Sequence, residues 1–219
     1  MFLFKIIDLS MSKITNIEQQ KKEGRYNIFL DGEFAFGAYK ETIYNFGLRV
    51  NDELDEKKIS EIKSYDEINF GKKVAYRFLN YKPRSEKEVI TKLKEKKISQ
   101  KSINDIIRSL KSLNYLDDRQ YAKMYIEEKL LRKPEGRRLL EIKLNRKGLD
   151  KETVQNIMDE NYSEETEIKK IVDLLIKYEK KVKAKTFPEK KQKCYRFLIS
   201  KGFGYDLVTD VINNHFNNV

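Results

Sequence analysis

Apolar and polar residues alternate in two ways along this chain, and the change of period divides it. Ile14 to Gln20 and Arg25 to Leu30 alternate or run apolar, and Asp31-Gly32, a strong hairpin signal, leads into Phe34-Ala35-Phe36. Three short strands are predicted there. Tyr39, Ile43, Tyr44 and Phe46 then fall at helical spacing, and Gly47 suits the residue just past a helix end. A second short helix is expected over Asp55 to Ile62.

Beyond residue 70 the period is helical and the pattern repeats. The chain has three prolines, Pro83, Pro134 and Pro188, and ten residues after each stands a leucine: Leu93, Leu144 and Leu198. Four residues later come Lys97, Gly148 and Gly202, next the apolar Ile98, Leu149 and Phe203, then the N-cap types Ser99, Asp150 and Gly204. The following helix places Ile103, Val154 and Val208 in one slot and Ile106-Ile107, Ile157-Met158 and Val211-Ile212 in the next. These are the spacings of an amphipathic helix, and each unit reads as three helices. Ser85 with Glu88 and Asp117 with Gln120 have capping-box spacing, and Ser163 caps the opening helix of the third unit. Asp117 to Pro134 spans 17 residues but Ser163 to Pro188 spans 25, which predicts an opening helix about two turns longer in the third unit.

The predicted fold is mainly α: three tandem three-helix repeats in an elongated, curved solenoid, with a small N-terminal β-hairpin and helix module. The expected boundaries are a non-native or disordered extension at 1–12, the module at 13–70, and repeats at 71–118, 119–162 and 163–219. The 219 residues carry a net charge of +11, but residues 1–70 are net −3 and residues 71–219 net +14. The positive field therefore belongs to the repeats. A single cysteine, Cys194, and a single histidine, His215, leave no His/Cys set for zinc or for nucleophilic triads, and no cofactor is expected. Cys194, two residues from Arg196, has a neighbourhood in which a depressed thiol pKa is conceivable, against the plainer reading of a packed filler. His215 falls at a fraying helix end. No phosphate-cradling glycine motif occurs. The carboxylate pairs Asp117-Asp118, Asp159-Glu160 and Glu164-Glu165 flank predicted helix ends, where capping and the helix dipole account for them. No catalytic residue is assigned. No export signal or membrane span is read, so a cytoplasmic monomer is expected.

Basic residues are the informative set. Lys92, Lys94, Lys96 and Lys97 cluster around one helix turn of the first unit, with Arg77, Lys82 and Arg84 before them. Arg132, Arg137, Arg138, Arg146 and Lys147 recur around the same elements of the second, and Lys191, Arg196 and Lys201 around those of the third. Stacked units would align these cations into a stripe suited to a polyanion such as single- or double-stranded DNA. The competing reading is a set of solvated helix faces. Tyr76, Tyr81, Tyr115, Tyr121, Tyr125 and Tyr195 fall mostly on apolar helical faces, which assigns them to packing.

Three segments carry a family likeness. Tyr81-Lys82-Pro83-Arg84-Ser85-Glu86 followed by Lys92-Leu93, then Leu116-Asp117-Asp118-Arg119-Gln120-Tyr121-Ala122, then Gly202-Phe203-Gly204-Tyr205-Asp206, stand in order as motifs of the RecX family. The resemblance covers residues 71–216, and residues 13–63 are similar to the N-terminal extension of Firmicute-type members. Gly204 stands where the family often has a hydroxyl residue, and Lys97 replaces the glycine of the other two units. The resemblance implies a non-enzymatic regulator that lies along the groove of the RecA-DNA filament and mainly inhibits its ATPase, strand-exchange and SOS-inducing activities. The alternative is a sequence-nonspecific nucleic-acid-binding protein without a recombinase partner.

Overall fold

The computed structural model describes residues 11–21 and 23–217. The extension expected at residues 1–12 lies outside them for its first ten residues, while Ser12 opens the first strand. Strands β1 (Ser12–Gln19), β2 (Arg25–Leu30), β3 (Glu33–Tyr39) and β4 (Glu53–Leu54) form one sheet in the order β3-β2-β1-β4. Asp31 and Gly32 both have positive φ, 51° and 91°, as a two-residue hairpin turn between twisted strands requires. β4 was not legible in the sequence, since two residues carry no period. Helix α1 (Lys40–Phe46) follows β3 directly and ends at Gly47 in the left-handed conformation. Ile14, Ile28, Phe36, Ala38, Leu48, Leu54 and Ile62 form the core beneath the sheet.

Ile62 belongs to α2, a continuous 26-residue helix from Glu56 to Tyr81. The short separate helix expected at 55–62 is its first part, and α2 runs without interruption through residue 70. No proline or cap interrupts the helical pattern there, and each half has its own surface to bury. Ile62 and Asp66 face the strand module, where Asp66 accepts from the Tyr39 N–H and the Thr42 hydroxyl, each at 2.7 Å. Gly71 lies against Ile106 and Leu93. Glu67 accepts from the Ser99 N–H at 2.9 Å and the Ser99 hydroxyl at 2.6 Å, so α2 also supplies part of the cap of α4.

The remaining helices are α3 (Glu86–Glu95), α4 (Gln100–Ser112), α5 (Asp118–Arg132), α6 (Arg137–Arg146), α7 (Lys151–Asn161), α8 (Glu164–Glu179), α9 (Phe187–Ser200) and α10 (Tyr205–Asn217). The helices from α2 onward make three groups of three. The chain forms two compact units, one comprising everything through Asn80 with Ile90–Ser109, the other Tyr81–Val89 with everything from Leu110 on. The register leucines Leu93, Leu144 and Leu198 are fully buried, and Ile98, Leu149 and Phe203 are buried after them. Every residue in the two predicted helix slots is buried except Val211, which is partly so. The second and third groups each enclose their own core, around Ile126, Leu140 and Met158 and around Leu175, Cys194 and Ile212.

Two expectations about the third group are corrected. α8 has 16 residues against 15 in α5, so the extra length is not two helical turns. It forms the 180–186 connection, whose lysines Lys180, Lys181, Lys183 and Lys185 are exposed. Four lysines in six residues repel one another, which favours a solvated loop over a helix. Pro83 and Pro134 stand three residues ahead of α3 and α6, whereas Pro188 is inside the first turn of α9. A proline there breaks no helical hydrogen bond, so the helix begins earlier while its end keeps the register.

Candidate nucleic-acid and partner interface

The site is built from helix ends. Ser85 and Glu88 form the expected capping box: Ser85 N–H donates to Glu88 at 3.1 Å and Glu88 N–H to the Ser85 hydroxyl oxygen at 3.3 Å. The Ser85 hydroxyl in turn donates to the Lys147 carbonyl at 2.7 Å, and the Lys147 ammonium reaches Glu88 at 2.6 Å. The start of α3 is thus pinned to the turn between α6 and α7. Fifty-one residues on, the Gly136 N–H at the start of α6 donates to the Lys201 carbonyl at 2.9 Å, in the turn between α9 and α10. Ser85 and Gly136 both follow their prolines by two residues, and Lys147 and Lys201 both precede the turn glycine, so one joint occurs twice.

That joint explains the glycines. Lys97, Gly148 and Gly202 all have positive φ, 59°, 101° and 85°, so the three turns share one geometry despite the lysine. A Cβ at Gly148 would stand 2.6 Å from the Lys87 Cβ, and one at Gly202 would collide with Leu139. Lys97 is exposed, so there the left-handed backbone carries the only penalty, about 1 kcal/mol.

The acidic motif residues are structural as well. Asp117 caps α5, accepting from the N–H groups of Arg119 and Gln120 at 2.9 and 3.0 Å. Asp118 turns the other way and accepts from Glu86 N–H at the start of α3, 2.8 Å away. Glu167 does the same for Arg137 N–H at the start of α6, at 2.9 Å. Burial pushes both the Asp118 and the Glu167 carboxyls above their ordinary values, against the pull of those N–H donors. Burial also acts to raise Glu88, but Lys147 and the Ser85 N–H outweigh it and hold that carboxyl low. Asp159 pairs with Arg137, and Glu160 with Arg119 at 2.6 Å. Among the described residues no group of three or more His, Cys, Asp or Glu is placed to hold a metal ion.

The basic residues divide by partner. Arg84 is mostly buried and pairs with Glu88, and Lys147 pairs with Glu88, so these two serve the first joint, whereas Arg137 bridges Glu141 and Asp159 within the second group. Lys92 pairs with Glu95 along α3, and Arg132 reaches Glu128 at 3.7 Å. Arg77, Lys82, Lys94, Lys96, Lys97, Arg138, Arg146 and Arg196 are exposed, and Lys191 and Lys201 partly so; none of these ten makes an ion pair among the described residues. At the first joint the Lys87 ammonium donates to the Arg146 carbonyl at 3.2 Å, which gathers Lys87, Arg146 and Lys147. At the second, Arg138 lies over the Tyr205 ring, 5.9 Å from its centroid. Lys87 was missed from the sequence, although it stands four residues after Pro83 as Arg138 does after Pro134.

Three smaller readings change. Tyr81 is 83% exposed and Tyr115 53% exposed, so neither is a core residue, whereas Tyr121 is buried. Burial pushes the Cys194 thiol up, with Glu179 adding to it, which removes the depressed thiol. His215 is held 2.8 Å from Glu179 within α10, so that helix end is tied to α8.

Compared with known proteins, the chain matches four family models: the regulatory protein RecX N-terminal domain over residues 12–55, and the first, second and third RecX three-helix domains over 72–110, 117–158 and 165–212. Its relatives include a "Regulatory protein RecX" of Clostridium perfringens (strain SM101), 36% identical and covering 95% of this chain and 98% of that one. Another is that of Bacillus subtilis (strain 168), 35% identical over 91% of this chain and 75% of the relative. Among solved structures, one titled "Crystal structure of regulatory protein RecX" superposes with a TM-score of 0.68 at 27% identity, over 91% of this chain and 99% of that one. RecX from Lactobacillus salivarius gives 0.63 at 27% identity, over 68% and 97%.

Proposed function

The chain belongs to the RecX family of regulatory proteins, and from that premise we propose that it binds the RecA-DNA filament and mainly inhibits its ATPase, strand-exchange and SOS-inducing activities. The observation that carries this reading is the recurrence of exposed cations at the two joints: Lys87 and Arg138 stand four residues after Pro83 and Pro134, at equivalent places in successive repeats. Cations recurring once per repeat suit a partner whose own anionic groups recur, which a nucleoprotein polymer offers. The contact set is Arg77, Lys82, Lys87, Lys94, Lys96, Lys97, Arg138, Arg146 and Arg196, which are exposed, with the partly exposed Lys191 and Lys201. Arg84 and Lys147 act through the first joint, and Arg137 through its ion pairs within the second group. In this reading the protein is a cytoplasmic monomer that works by binding: Asp117 and Asp118 serve as caps, and Asp159 and Glu160 as ion-pair partners.

RecA ATPase on single-stranded DNA tests the proposal. Suppression at protein concentrations far below those that coat the DNA is the expected result. Suppression only at coating concentrations supports the second reading, a general nucleic-acid binder, which the unpaired Arg146 and Arg196 favour.

A further inference from the structure

We propose that Tyr205 and Arg138 form a stacking platform for a base of single-stranded nucleic acid. This rests on the reading that the repeats meet DNA, and it names where and in which form. Tyr205 is the first residue of α10 and 54% exposed, and its ring has an arginine guanidinium over its face. It is held in place from both sides: the Gly202 backbone at φ 85° sets the turn ahead of it, and its carbonyl accepts from the Thr209 hydroxyl at 2.8 Å. The Arg138 guanidinium lies 5.9 Å from the ring centroid and makes no ion pair among the described residues. The Gly136 N–H, two residues before Arg138, is fastened to the Lys201 carbonyl at 2.9 Å, so the two helix ends that carry the ring and the cation are joined.

Each part has a separate task. The ring offers a flat apolar face, which stacks on any base. Arg138 adds a charge and a planar fork that hydrogen-bonds a phosphate or lies parallel to the base. The Lys201 ammonium rests over a different ring, 5.5 Å from the Phe197 centroid, so Arg138 is the cation of the platform. In a duplex the base faces are already stacked, so the platform selects single strands.

The chain contains no tryptophan, so Tyr205→Trp introduces the sole indole and reports on this position alone. With the full chain and a labelled oligo-dT strand, Tyr205→Ala should weaken binding roughly 5- to 100-fold with an unchanged salt slope, and Tyr205→Phe should stay within about twofold. Arg138→Gln should lower the slope by about 0.7, one phosphate contact on a single strand. The introduced indole should be quenched by oligo-dT and not by inorganic polyphosphate. If the unaltered chain binds oligo-dT and Tyr205→Ala binds it equally, or if polyphosphate quenches the indole as well, the platform is overturned while DNA binding stands. Binding of neither oligo-dT nor duplex by the unaltered chain overturns the DNA contact itself. Loss of RecA inhibition by Tyr205→Ala at unchanged DNA affinity makes the pair a protein contact and overturns the platform. Should Tyr205→Ala prove unfolded, the indole signal decides.

Discussion

Individual backbone angles set the strictest demands on this chain. At Gly202 a positive φ coincides with the approach of Leu139, so Gly202→Ala combines left-handed strain with overpacking and should lose at least about 2 kcal/mol. Lys97 has the same backbone turn but an exposed side chain, and Lys97→Gly should gain about 1 kcal/mol. Denaturant midpoints of the two variants check the pair, and equal effects would break the explanation of the joint. Asp117 accepts two N–H groups at the start of α5, so Asp117→Ala should cost about 1 kcal/mol and confer or remove no DNA cleavage in magnesium. Capping residues of this kind are legible from spacing. Asp118 and Glu167 are not, because each caps a helix of the preceding repeat.

Between elements, the ion pair of Glu88 and Lys147 joins the start of α3 to the turn after α6. Glu88 is held below its ordinary carboxyl value in the fold, so it binds protons less tightly there than in the unfolded chain. Its stabilisation is therefore complete above the ordinary value of 4.5 and fades as pH falls through the lowered one. Glu88→Gln keeps an acceptor for the capping box and removes only the charge. It should lose about 0.5–1 kcal/mol at pH 7 and become indistinguishable from the unaltered chain at strongly acid pH, by urea midpoints. Asp118 and Glu167 have the opposite sign: their carboxyls are raised by burial, and their ionisation opposes folding as pH rises through the ordinary range.

At the level of the whole molecule, the number of repeats is limited by how the joint ends. A third joint would need a glycine at the first unit's turn, where Lys97 projects a side chain. It would equally need a free donor two residues after Pro188, where the joints have the Ser85 hydroxyl and the Gly136 N–H, but Lys190 stands inside the lengthened α9 with its N–H bonded to the Thr186 carbonyl. The chain should sediment as a monomer at all accessible concentrations, and Lys97→Gly alone should leave it so. Truncation follows the same logic. Removing residues 1–55 leaves α2 whole with the Glu67 cap of α4 and should leave DNA affinity nearly intact, since the lost segment is net negative. Removing residues 1–70 also takes Glu67 and should lower the melting temperature.

What the sequence determined alone is what repeats at short range: the hairpin at Asp31-Gly32, the three-helix units, the buried leucines Leu93, Leu144 and Leu198, and the local caps Ser85, Asp117 and Ser163. Each depends on residues a few positions apart, so a period or a spacing reveals it. The tertiary structure decided which cations are spent on joints and which face solvent. Arg137 and Arg138 are adjacent in sequence, yet one bridges Glu141 and Asp159 while the other lies over Tyr205. Successive helical residues point about 100° apart, and only the neighbouring helices determine what each one meets.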